Sequence, residues 1–172
     1  MFRYGLILAA AVMALDQLVK LFFLFGLGWI STLSQDQNYE HIEILPFFNV
    51  VMVWNPGISY GLFQADSPFL RWLLVAFSIG VVGLLIWWLR GIKDLRLAQA
   101  IGLIIGGAVG NVIDRIAYGK VADFFHLHAF GYSWYVFNVA DTAIVFGVLL
   151  MAADLIWTEW KSRSRDATED HT

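Results

Sequence analysis

The chain alternates four long apolar runs with shorter, more polar stretches. The runs cover roughly 4–25, 69–89, 97–116 and 136–157. Each is close to the ~20 apolar residues that a helix needs to cross a bilayer. An even number of spans puts both ends of the chain on one side. Two intervening segments have a different pattern. Residues 26–68 contain HIEILPFFNVVMVWNPGISYGLF, β-branched and aromatic, with Pro46 and Pro56-Gly57 as breakers. That composition predicts a small sheet or hairpin at the membrane surface. Residues 117–135 are short, aromatic and glycine-containing, which predicts a turn or a short amphipathic element on the bilayer. Beyond Lys161 the chain is polar and is expected to be disordered.

Basic residues orient the spans. Arg3, then Arg90, Lys93 and Arg96, then Lys161, Arg163 and Arg165 flank one face, against Arg71, Arg115 and Lys120 on the other. By the positive-inside rule the termini and the 90–96 loop are cytoplasmic. Trp29, Trp54, Trp72 and Trp134 then fall at the outer interface, and Trp87, Trp88, Trp157 and Trp160 at the inner one, as an aromatic belt requires. The first run resembles a signal peptide in its Arg3 and its alanines. Asp16 and Lys20 interrupt it, however, and no small-residue cleavage site follows Phe25, so it is expected to stay. The predicted fold class is an all-α integral membrane protein in one domain over 1–160. Its parts are four transmembrane helices, a small periplasmic β-sheet element, a short surface helix or loop at 117–135, and a cytoplasmic polar tail at 161–172.

Composition narrows the function. The chain is 59% hydrophobic and 15% charged, against about half and about a quarter for soluble domains. It has no cysteine, which removes disulfides, a thiol nucleophile and thiolate metal sites together. A net charge of -3, without a basic patch interleaved with aromatics, argues against nucleic acid as a partner.

Charged groups inside a span are expensive and mark function or helix pairing. Asp16 and Lys20 are four apart in the first run, in the favourable acid-first order for an ion pair. Asn111 and Asp114 share a face of the third, and Asn138 and Asp141 open the fourth. At ~1.5 Å per residue all three pairs fall in one layer just beneath the outer surface. Asp123 lies beside it, in the connection between the third and fourth runs. Gly102, Gly106 and Gly110, four apart, let a neighbouring helix approach the third run closely. Interhelical hydrogen bonding explains any one of these polar residues, but handles poorly three acids converging at one depth beside two asparagines. His126 and His128 with Asp123 have a metal-like spacing, but His-x-His beside one carboxylate is a weak signal, and no metal is expected.

The motifs now stand in order: DQLVK at 16–20, NPGISYG at 55–61, GGAVGNVIDR at 106–115, VADF at 121–124 and FNVADTAI at 137–144. Together they resemble the five motifs of the lipoprotein signal peptidase family. One stretch departs from it. Ile58, Ser59, Tyr60 and Gly61 precede Leu62 and Phe63, where the family has a small, alanine-rich stretch before phenylalanine. The resemblance implies a membrane aspartic endopeptidase that removes the signal peptide from diacylglyceryl-modified prolipoproteins, cutting before the lipidated cysteine. It implies Asp123 and Asp141 as the catalytic pair. Supporting or substrate-binding roles fall to Asp16, Lys20, Asn55, Gly57, Asn111, Asp114, Arg115 and Asn138, with Asp114 read as held by the charge of Arg115. No cofactor is implied. The expected partners are the lipid-modified prolipoprotein and membrane lipids, and the protein is expected to be a monomer. Two rivals come from the residues alone: a proton-coupled transporter, since intramembrane carboxylates often mark ion paths, and a non-enzymatic membrane scaffold.

Overall fold

A computed structural model describes residues 1–34, 41–57 and 68–169. The four apolar runs are helices: α1 (Phe2–Leu21), α2 (Pro68–Leu89), α3 (Leu95–Ala117) and α4 (Val139–Glu169). Each contains a stretch long and apolar enough to cross a membrane. α1 ends in a π-helical turn at Phe22–Gly26, and a short 3-10 helix follows at Trp29–Ser34. Asp94 caps α3 by accepting from the Leu97 N–H at 2.9 Å. At its other end Gly119, with φ +79°, donates to the Arg115 carbonyl, so a residue free of left-handed strain turns the chain out of the helix.

α3 is the central helix, with twelve buried residues against two in α2. Its glycines explain why. A Cβ at Gly102 would meet the Gly5 carbonyl at 2.6 Å, and one at Gly106 the Ala9 carbonyl at 2.6 Å. One at Gly110 would meet the Asp16 carboxyl at 2.5 Å, and one at Gly107 would strike the Ala140 carbonyl of α4. α3 is therefore pressed against α1 on one side and α4 on the other, backbone to backbone. Contact positions rise together along α1 and α3, so those two run parallel. Gly107 meets Ala140 and Gly147 meets Ala100, so α4 runs antiparallel. Most remaining large apolar side chains of the helices are exposed, among them Phe77, Trp87, Leu149 and Ile156, as expected of surfaces that face lipid.

A four-stranded antiparallel sheet caps the bundle end where α1 finishes and α4 begins. Its strands are β1 (His41–Leu45), β2 (Phe48–Asn55), β3 (Val121–Ala129) and β4 (Tyr132–Ser133), in that order. The expected hairpin in 26–68 is thus present as β1–β2. Three expectations are corrected. The 117–135 segment is a strand hairpin and not a surface helix or loop, because VADFFHLHA pairs with β2, Val53 opposite Asp123 and Asn55 opposite Val121. "All-α" is accordingly too narrow. The polar tail, expected to be disordered, continues α4 as helix to Glu169. Leu24, Trp29, Val50, Met52, Ala122 and Phe124 form the small core joining the end of α1 to the sheet.

Candidate active site

The site is assembled where α1, α3, β2, β3 and the start of α4 converge. Asn138 is the N-cap of α4. Its Oδ1 accepts from the Asp141 N–H at 2.8 Å, and its Nδ2 donates to Asp123 Oδ1 at 2.6 Å. One asparagine therefore caps the helix that carries one acid and grips the acid on the strand. Asn55, at the end of β2, donates to Asp123 Oδ2 at 3.0 Å, and its own Oδ1 accepts from Gly57 N. Asn111 donates to Asp141 Oδ1 at 2.8 Å, while its Oδ1 accepts from Asn138 at 3.2 Å and Lys20 at 3.3 Å. Three side-chain amides thus hold two carboxyls in one network.

Behind it lies an ion cluster. Lys20 Nζ sits 2.8 Å from both Asp16 Oδ2 and Asp114 Oδ2, and all three residues are buried. The cluster is tied to the site through backbone. Asp16 Oδ1 accepts from Ala140 N at 2.9 Å in the first turn of α4, and Asp114 Oδ2 accepts from Ala122 N at 3.1 Å, beside Asp123. The expected pairing of Asp114 with Arg115 is corrected here. Adjacent helix residues point about 100° apart, and Asp114 faces Lys20. Arg115 instead donates to the Gly57 carbonyl at 2.8 Å and the Asn111 carbonyl at 3.3 Å. Gln17 is the residue that sequence reading missed. Its Nε2 donates to Asp16, to the Gly110 carbonyl and to Asp114, at 3.1–3.2 Å. The available signal was its polarity inside an apolar run, one helical turn from Lys20.

Asp123 is 1% exposed. Burial, and then the neighbouring Asp141, push its carboxyl well above the ordinary carboxylate range, while the Asn55 and Asn138 amides pull the other way. Asp141 faces space. A cavity of about 360 Å³ between α2, α3 and α4 is lined by Asp141 with Asn55, Phe77, Asn111, Arg115 and Tyr135. A second, of about 230 Å³, is lined by Asp141 with Leu127, Trp134, Tyr135 and Phe146. Tyr135 and Asp141 thus stand between two mainly apolar grooves. His126 and His128 do not join this site. Strand alternation puts them on the face of β3 opposite Asp123, so the His-x-His beside a carboxylate is not one ligand set. Ile58–Phe63, where the sequence departs from the motif, lie outside the described residues.

Every site residue expected from the motifs therefore falls in one connected network. Comparison with known proteins gives the family. The family model for signal peptidase (SPase) II matches residues 8–157. The lipoprotein signal peptidase of Methylorubrum extorquens is 49% identical over 166 residues, which is 96% of this chain and 92% of that protein. That of Beijerinckia indica is 41% identical over 168 residues, 98% and 96% of the two chains. A solved bacterial membrane enzyme superposes with a TM-score of 0.71 at 27% identity, over 88% of this chain and 87% of that one. With a match running from the first membrane helix to the fourth and relatives close to half identical, the chain belongs to the signal peptidase II family.

Proposed function

We propose that this protein hydrolyses the signal peptide of diacylglyceryl-modified prolipoproteins immediately before the lipidated cysteine, with Asp123 and Asp141 as the catalytic pair. The observation that carries the assignment is Asn138, which binds Asp123 through its amide nitrogen and the Asp141 backbone through its amide oxygen. It holds together two acids, of which Asp141 lines a cavity between α2, α3 and α4 and a second between α4 and the β3–β4 segment. Two neighbouring carboxyls, Asp123 buried and Asp141 half-buried, do not both ionise cheaply, so they keep one proton between them. The ionised member takes a proton from water as its oxygen attacks the peptide carbonyl carbon. The protonated member donates to the carbonyl oxygen, and as the C–N bond breaks a proton passes to the leaving amine. Arg115, Asn111 and Asn55 position the pair and the Gly57 backbone beside it. Lys20, Asp16 and Asp114 form the scaffold.

The site lies at the membrane face that we read as periplasmic, where the cleavage region of a membrane-held precursor emerges. The acyl chains stay in the bilayer while the peptide enters the grooves on either side of Tyr135. Purified protein incubated with lipid-modified precursor should produce a size shift, and unlipidated precursor should be cut poorly. Asp123→Asn and Asp141→Asn should each remove cleavage while the protein stays folded, because asparagine keeps the size but cannot carry the proton. Cleavage that survives Asp123→Asn but not Asp114→Asn, normalised to folded protein, would overturn the pair.

A further inference from the structure

The hairpin of β3 and β4 breaks a local rule where nothing among the described residues compensates. Its two turn residues, Phe130 and Gly131, both have positive φ, 53° and 80°. Turns of this kind match the twist of a hairpin and favour Asn-Gly, Asp-Gly or Gly-Gly. A bulky aromatic in the left-handed region is an outlier. Phe130 is also 101% exposed, so no contact among the described residues offsets its strain. Residues that defy local preference without internal recompense point to a contact outside the fold.

The strands behind the tip are two-faced. Ala129 lies opposite Tyr132, and Trp134 N donates to the Leu127 carbonyl at 2.8 Å, so Leu127, Ala129, Tyr132 and Trp134 share one face. His126, His128 and Ser133 share the other, with His126 Nε2 2.5 Å from Ser133 Oγ. The apolar face is open: Tyr132 is 83% exposed and Trp134 57%. With Phe47, and with His128 and Ser133 at its rim, it borders a mainly apolar hollow of about 710 Å³. Exposed apolar area of this extent marks a binding or membrane surface. Continuity shows which. Leu127 and Trp134 line one cavity with Val145 and Phe146, the outward-facing side chains of membrane-spanning α4. The apolar face of the hairpin and the lipid face of α4 are one surface.

We propose that the β3–β4 hairpin lies in the lipid–water interface, with Phe130 and the Tyr132–Trp134 face in the bilayer and the His126–His128 face toward water. Tyrosine and tryptophan favour that boundary. This rests on the membrane-spanning reading of α4 and not on the catalytic assignment. The same strand, β3, carries Asp123. Seating the hairpin fixes the height of that acid relative to the bilayer.

The absence of native cysteine makes a direct test simple. Phe130→Cys, spin-labelled in full-length protein in bilayers without substrate, should be more accessible to oxygen than to a water-soluble nickel chelate. Glu43→Cys is the control. Glu43 is exposed and shares the polar face through its pairing with Asn49, which lies opposite His126. It should show the reverse preference. A label at 130 as open to nickel as one at 43 overturns the proposal. So does immersion that appears only once lipid-modified precursor is added, or spin–spin broadening from a second copy. Phe130→Asn gives an independent reading. It relaxes the turn, so thermal stability in detergent should rise, while the ratio of cleavage rate in bilayers to that in detergent should fall severalfold. An unchanged ratio overturns the proposal.

Discussion

Lys20 bridges two buried carboxylates, Asp16 and Asp114, each at 2.8 Å, and this arrangement sets what single substitutions do. Lys20→Met leaves two buried anions facing each other with no counter-charge. Removing one partner of a buried pair costs about 3–5 kcal/mol. We expect Lys20→Met to lose most folded protein in a detergent thermal-unfolding assay. Asp114→Asn keeps the Asp16–Lys20 pair, and its amide can donate to Gln17 if that side chain turns over. We therefore expect a smaller fall in unfolding temperature, with cleavage retained per folded molecule. An equal loss for the two variants would show that Lys20 does not bridge both acids. The Asp16–Lys20 half of this cluster was legible from a four-residue spacing on one helix. The Asp114 half was not, because it depends on how α3 is rotated against α1. Asp123 adds a pH dependence. Its carboxyl is raised in the folded protein by burial and then by Asp141. The folded state thus binds more protons there than the unfolded chain, whose carboxyl titrates near about 3.9. Stability from this group is fully present below that value and is lost as pH rises through the raised one. Unfolding temperatures measured across pH should therefore shift in favour of Asp123→Asn relative to wild type as pH rises over that window. A constant difference would contradict the raised carboxyl.

At the scale of elements, the small-residue stripe of α3 does what its spacing predicted, and the direction of each contact makes a sharp comparison possible. A side chain at Gly106 would meet the Ala9 carbonyl and Val12 at 2.6–2.7 Å, so α1 and α3 must part to admit it. A Cβ at Gly83 on α2 meets nothing within 4 Å. Gly106→Val should lower the unfolding temperature markedly. Gly83→Ala should leave it unchanged or raise it, since alanine in a helix interior gains about 0.5–1 kcal/mol over glycine. Similar destabilisation by both would mean that α1 and α3 are not in backbone contact. Helix positions were legible because apolar runs of membrane length admit few alternatives. The β3–β4 hairpin was hidden for a physical reason. VADFFHLHA carries apolar side chains on both faces near the bundle and only becomes two-faced toward its tip, so its period resembled an aromatic loop. The Phe130–Gly131 turn added to this, since it lacks the asparagine or aspartate that usually announces a hairpin.

For the molecule as a whole, the packed structure sorts the basic residues between the two ends of the bundle. One end of the bundle carries Arg3, the Arg90–Asp94 turn between α2 and α3, and Lys161 on α4. The sheet end has Arg71, Arg115 and Lys120, which weakens a simple count of basic residues. Arg115, however, is committed to the Gly57 and Asn111 carbonyls inside the site. The Arg71 guanidinium stacks over Trp72 at 5.2 Å and would meet a Cβ on Gly119 at 2.9 Å. The loop and terminal Lys and Arg of the first end, Arg3, Arg90, Lys93, Arg96 and Lys161, still outnumber those of the sheet end, which is the bias that sets topology. We expect the sheet outside and both termini inside. Single cysteines at Glu43 and Lys161 in the cysteine-free chain, exposed to a membrane-impermeant maleimide in intact spheroplasts, should react at 43 and stay unlabelled at 161 until the cells are lysed. Labelling of 161 in intact spheroplasts with 43 protected would invert the protein. It would put the candidate active site on the cytoplasmic face, where a precursor's cleavage region does not emerge, and the proposed reaction would lose its substrate.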